Sequence, residues 1–196
     1  MEIVPGRGRR HRHLTARILV WLAGALSAFV VLAVVVLSTN VWPGALLIRS
    51  TFDRGGEQTD KVLQRFAPDP GAVLRTKDVT YRHSDPDGQL DVYTPAGVVG
   101  TDTRLPTIVW FHGGGWLAGN KSGTATWARI LADKGYTVVV PDYTLAPAAH
   151  YPCQLQQVLD ALAFLHTDPP DHVDPDQLVL AGDSAGPASP PRRRRS

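Results

Sequence analysis

The chain has 196 residues, 43% apolar and 19% charged, enough for one domain of ordinary size beside an extra hydrophobic segment. Its net charge of +2 hides an uneven layout. Arg7 to Arg17 and Arg192 to Arg195 hold nine of the twenty basic side chains, while residues 18–191 carry eleven basic and seventeen acidic ones, net −6. That balance excludes a basic nucleic-acid surface on the body of the chain, and the single cysteine, Cys153, excludes an intramolecular disulfide and any multi-cysteine metal site.

Residues 1–17 form a basic N-terminus, and residues 18–37 follow without one charged side chain. Twenty such residues suffice to span a hydrocarbon core as a helix. Trp21 and Trp42 stand near the two ends, where indole rings favour the membrane interface, and the arginine excess before the span predicts a cytoplasmic N-terminus with the remainder outside the cytoplasm. A cleaved signal peptide is the competing reading. The apolar stretch exceeds the usual signal core, and no small-x-small site follows at Leu37-Ser38-Thr39-Asn40. A buried core helix would show a polar face, and this stretch has none.

Residues 38–76 are expected to be a juxtamembrane linker without chemistry. It includes one short amphipathic helix, Gln58 to Phe66, broken by Ala67-Pro68-Asp69-Pro70-Gly71. From residue 77 the pattern becomes an α/β alternation. Val79 to His83 and Leu90 to Thr94 predict two strands joined by Ser84-Asp85-Pro86-Asp87-Gly88. Leu105 to Phe111 predicts a buried strand, Ser122 to Lys134 a helix ending at Gly135, and Thr137 to Val140 another buried strand. Tyr151 to His166 predicts a helix with Leu155, Val158, Leu159, Leu162 and Leu165 inward. Asp168 to Asp176 predicts a loop and Gln177 to Ala181 a last buried strand. The spacing implies right-handed crossovers and a mostly parallel sheet behind an antiparallel hairpin.

Two glycine-rich motifs follow predicted strands. His112-Gly113-Gly114-Gly115-Trp116 follows Thr107 to Phe111, and three successive glycines let a backbone approach a ligand with its N–H groups turned inward. Gly182-Asp183-Ser184-Ala185-Gly186 has the Gly-x-Ser-x-Gly form of a nucleophile elbow, in which a serine sits on a sharp strand-to-helix turn. Beyond it the pattern stops. Residues 187–196, Pro187-Ala188-Ser189-Pro190-Pro191 followed by four arginines and Ser196, predict a disordered tail, because the prolines forbid regular hydrogen bonding and the adjacent charges repel.

At these residues the chain resembles the N-terminal half of an α/β-hydrolase of the hormone-sensitive-lipase-like carboxylesterase group. The two motifs match that group's His-Gly-Gly-Gly and Gly-Asp-Ser-Ala-Gly segments. Asp142-Tyr143-Thr144-Leu145-Ala146-Pro147 resembles its Asp-Tyr-Arg-Leu-Ala-Pro segment, with Thr144 in place of arginine; His150 and Pro152 also fall at family positions. The resemblance covers residues 77–186. It implies an α/β-hydrolase fold truncated after the elbow and preceded by one transmembrane helix.

The mechanism implied is two-step acyl transfer on a small-molecule carboxylic ester, with short acyl chains the family expectation. Ser184 would attack the carbonyl, and the N–H groups of Ala185, Gly114 and Gly115 would hold the oxyanion. His112, Gly113, Asp142, Gly182 and Gly186 would support the motifs, His112 as a structural residue rather than a base. Asp183 takes no catalytic role. No metal and no organic cofactor is implied. The membrane is met through residues 18–37, no nucleic acid is expected, and no oligomeric state can be read.

The departure from the family lies downstream. The family triad runs serine, acid, histidine along the chain, and after Ser184 this sequence has no Asp, Glu or His. His83, His150, His166 and His172 would each need to lie within about 3 Å of the serine oxygen to substitute. The chain is therefore expected to be truncated and inactive by itself. Three readings stay open: an esterase or lipase-like hydrolase by descent, a non-catalytic membrane-anchored remnant, and an interaction protein acting through its basic tail.

Overall fold

The structure, a computed structural model, describes residues 8–184, with side chains from residue 16 onward. The chain divides into two units, Met1–Gly44 and Ala45–Ser196. The first is dominated by α1 (Gly8–Thr39), which runs beyond the expected 18–37 at both ends. Ser38 and Thr39 extend it by returning their hydroxyls to the Val35 carbonyl, at 3.1 and 2.7 Å. Among the described residues Ala16–Thr39 is the one helical stretch long and apolar enough to cross a membrane, a property shared with signal sequences near an N-terminus. Asn40 then accepts from the amide of Trp42 at 2.9 Å and caps the next helix.

That helix, α2 (Val41–Leu63), departs most from expectation. The stretch read as a linker holding a short helix from Gln58 is helical almost throughout, and Gln64–Phe66 adds a 3-10 turn before Ala67 turns extended. Gly55 and Gly56 lie inside it despite glycine's poor helix propensity. Arg49 supplies the tertiary anchor. Its Nε donates to the Leu117 carbonyl at 2.8 Å and its Nη2 to the Ala146 carbonyl at 3.2 Å.

Five strands form one sheet in the order β1-β2-β4-β3-β5: β1 (Val73–Thr80), β2 (Gln89–Pro95), β3 (Leu105–Phe111), β4 (Thr137–Pro141) and β5 (Val173–Gly182). β3 occupies its expected span. β1 starts six residues before the expected Val79 and ends at Thr80, because a bulge between Thr76 and Val79 interrupts the alternation on which the sequence reading relied. The sheet is mixed rather than mostly parallel. β1–β2 and β2–β4 are antiparallel; β4–β3 and β3–β5 are parallel.

Two helices cover the two faces. α3 (Ala125–Ala132), entered through a 3-10 turn at Lys121–Thr124, packs Ala128 and Ala132 on Tyr93, Val138 and Val140. α4 (Cys153–Thr167) packs Val158, Ala161 and Leu165 on Val92, Val109, Phe111 and Val139. Alternate residues of β4 thus feed opposite cores, which is why all five of its residues are buried and carry no polar side.

The inner face of α4 is rotated from expectation. Gln154 and Gln157 are buried, whereas Leu159 is 50% exposed. Both glutamines are tied to backbone and side chains of the Asp142–Thr144 loop and its surroundings, so hydrogen bonding decides the face. β5 also differs. It begins at Val173, inside the expected loop, and as an edge strand it leaves Val179 55% exposed rather than buried.

Candidate active site

Parallel pairing of β3 with β5 decides where the two glycine motifs meet. Phe111 pairs with Gly182, the last residue of each strand, so the chain leaves the sheet side by side as His112-Gly113 and as Asp183-Ser184. The Asp183 amide donates to the Phe111 carbonyl at 3.2 Å and extends the ladder by one residue. A Cβ on Gly113 would lie 2.9 Å from both the Cβ and the carbonyl oxygen of Asp183. No side chain fits between the motifs, so this position demands glycine.

At Ser184 the backbone turns into the left-handed region, φ +45°, which a serine adopts only where its surroundings enforce it. That turn is what an elbow requires. Gly114, at φ +115°, reverses the opposing loop, and its carbonyl accepts from the amides of Leu117 at 3.0 Å and Ala118 at 3.1 Å. The amides of Gly114 and Gly115 are taken by no acceptor among the described residues. Ala185 and Gly186, the remaining expected members of the elbow, lie outside the described residues, as does the tail 187–196.

His112 is 2% exposed and stacked on Tyr143, with ring centroids 4.3 Å apart and planes 9° from parallel. The Tyr143 hydroxyl donates to the His112 carbonyl at 2.6 Å. His112 Nδ1 lies 3.0 Å from the Gly113 carbonyl, which only accepts, so Nδ1 carries the proton and Nε2 is a bare acceptor. Nε2 is buried without a partner among the described residues, 3.7 Å from Asp142 Oδ1. Burial pushes the imidazole below the usual histidine range, against the bond to Gly113, and keeps it neutral. In this geometry His112 holds the glycine loop in shape.

Asp142 follows β4, next to β3, and enters the same end of the sheet. Its Oδ1 accepts from the Lys121 amide at 2.6 Å, and its carbonyl accepts from the Tyr81 hydroxyl at 2.7 Å. Burial raises its carboxyl to about 6, opposed by that amide and by the Lys121 charge. Lys121, 7% exposed, bonds Asp78, lies 3.2 Å from Asp91 Oδ1 and 4.0 Å from Asp142 Oδ2. Desolvation works against its charge, but the bonds to Asp78 and Asp91 prevail and raise its pKa. The same lysine holds Asp78 below the usual carboxylate range.

A cavity of about 980 Å³ opens at this end of the sheet. His112, Gly113, Gly114, Asp183 and Ser184 form one wall; Phe52, Asp53, Glu57 and Asp60 of α2 contribute to another. The sequence reading assigned no chemistry to α2 or to Lys121, since a lone arginine in a helix and one lysine in a loop carry no motif. His83, His150, His166 and His172 do not line the cavity. His172 Nδ1 instead lies 2.8 Å from the Thr103 carbonyl.

A sheet with helices on both faces, carrying a glycine loop and a left-handed serine at adjacent strand ends, defines the class as the α/β-hydrolase fold. The family model described as alpha/beta hydrolase fold matches residues 108–188. Over 85 residues the chain is 42% identical to arylacetamide deacetylase of Oryctolagus cuniculus, covering 40% of this chain and 21% of that one. Over 87 residues it is 36% identical to an esterase of Gibberella moniliformis, covering 43% of this chain and 27% of the relative. Esterase B of Lactobacillus rhamnosis superposes with a TM-score of 0.60 at 30% identity, over 73% of this chain and 46% of that one. Over this part of its length the chain is an α/β-hydrolase of the carboxylesterase group, a family of carboxylic ester hydrolases. It spans from a fifth to about half the length of these relatives.

Proposed function

We propose that the chain carries the nucleophile and oxyanion half of a membrane-anchored serine carboxylesterase, with Ser184 as nucleophile. The observation that carries this reading is the packing of Gly113 against Asp183, with Ser184 at φ +45°, because it sets the serine beside two unengaged loop amides. An ester carbonyl carbon at Ser184 Oγ would direct its oxygen towards the N–H groups of Gly114 and Gly115, and towards that of Ala185. Each oxyanion donor lost costs about 2.7–4 kcal/mol of transition-state stabilisation. His112, Gly113, Asp142, Gly182 and Gly186 support the two turns. Substrates are carboxylic esters small enough for the cavity, and residues 18–37 anchor the chain with its hydrolase part outside the cytoplasm.

Turnover needs a base to take the serine proton and an acid to orient that base. The sequence offers neither after Ser184, and His112 has its Nδ1 proton committed to Gly113. The 196-residue chain by itself therefore performs no catalytic cycle, which keeps the non-catalytic reading beside the esterase one. Hydrolysis of a short-chain p-nitrophenyl ester, measured on the purified chain and on Ser184→Ala, tests both. Equal background rates are the expected result. A rate that disappears in the variant would overturn the inactivity and require a base from elsewhere.

A further inference from the structure

We infer that the cavity beside Ser184 selects esters bearing a positive charge, and that Asp53, Glu57 and Asp60 of α2 set this preference. The inference rests on the ester-site reading above and narrows it to a substrate class. The three carboxylates are spaced four and three residues apart, so they share one face of α2, and all three line the cavity. Asp183 adds a fourth carboxylate, and Lys61 is the one cationic side chain in the lining. Asp53 and Glu57 make no ion pair among the described residues, and Asp60 only accepts from Gln64 at 2.9 Å.

Helix energetics alone argue against this arrangement. Like charges four residues apart repel, and Glu57 and Asp60 stand near the C-terminal, negative end of the helix dipole. A second, independent feature points the same way. His112 Nε2, a buried bare acceptor without a partner among the described residues, belongs to the opposite wall, so that wall too presents electron density instead of a donor. A cleft lined by one sign of charge concentrates the opposite ion. Phe52 in the same lining gives an alkyl portion apolar contact.

Acetylcholine and its neutral carbon isostere, 3,3-dimethylbutyl acetate, have nearly the same shape and differ in charge. Binding of each is measured by calorimetry on the full chain in a non-ionic detergent, at low ionic strength and at about 0.5 M salt, where exposed charges are screened. Acetylcholine is expected to bind about tenfold more tightly at low salt. The preference should collapse at high salt and in the triple variant Asp53→Asn, Glu57→Gln, Asp60→Asn, with the isostere's affinity unchanged. Equal affinities in the unmodified chain, or a preference that survives the triple variant, overturn the inference and leave the ester site standing. Failure of both compounds to bind overturns the two together.

Discussion

Three carboxylates, Asp78, Asp91 and Asp142, converge on Lys121, and Arg75 is the second cation, 2.5 Å from Asp91. The cations are outnumbered, and Asp142, the carboxylate farthest from Lys121 Nζ, is the one whose pKa is raised, to about 6. Its folded value exceeds the ordinary 3.8, so protonation favours the fold. That contribution is complete below about pH 4 and is lost as pH rises through 6. A rise of this size corresponds to about 3 kcal/mol. Asp142→Asn keeps an oxygen for the Lys121 amide and removes the titration. The stability of the unmodified chain relative to this variant should fall between pH 4 and 6 and level off above. Denaturation midpoints across that range measure it, and a relative gain with rising pH would mean that attraction to Lys121 outweighs burial.

None of this network carries a sequence signature. Asp142 was legible only through its place beside Tyr143 in a family segment, and Lys121 not at all. His112 was legible as a supporting residue, and its neutral, stacked environment agrees with that role.

Among the elements, α4 shows why periodicity found the helix and missed its face. Leu155, Val158, Leu159, Leu162 and Leu165 form an apolar stripe, yet Leu159 is half exposed and two glutamines take inner positions. Gln157 donates to Asp85 at 2.6 Å and to Thr144 Oγ1 at 2.9 Å and accepts from the Thr144 amide at 2.8 Å. These partners are distant in sequence, and no window along the chain reveals them. Leu165→Ala should cost about 2–5 kcal/mol, as deletions from a closed core do. Leu159→Ala should stay within about 0.5 kcal/mol. Chemical denaturation of both variants checks the face, and comparable losses would restore the leucine stripe as the buried side. α2 gives the same lesson: two consecutive glycines and mixed charges hid a helix that Arg49 docks onto two loop carbonyls.

For the whole molecule, the edge position of β5 matters most. Val179 and Leu180 are exposed, and a long edge strand with apolar side chains invites pairing with another chain. Val179→Lys should reduce concentration-dependent self-association in light scattering and leave the denaturation midpoint nearly unchanged, because no buried contact is lost. Unchanged association would place the sticky surface elsewhere. The N-terminal span is tested separately. Deleting residues 1–39 should move the protein from the membrane to the soluble fraction, and retention there would shift the anchor to another segment.

By itself, the sequence determined what depends on neighbours along the chain. The apolar span shows as an unbroken run of uncharged residues, the α/β alternation as changes in periodicity, and the two active-site turns as glycines at positions that tolerate nothing larger. Tertiary structure decided what depends on residues far apart. It placed Phe111 opposite Gly182 and so brought the glycine loop to Ser184. It satisfied buried glutamines and a buried lysine with partners from other strands, and set an acidic helix over the cavity. Hydrogen-bond partners and shared cavities are three-dimensional relations, and a linear pattern of residue types holds no record of them.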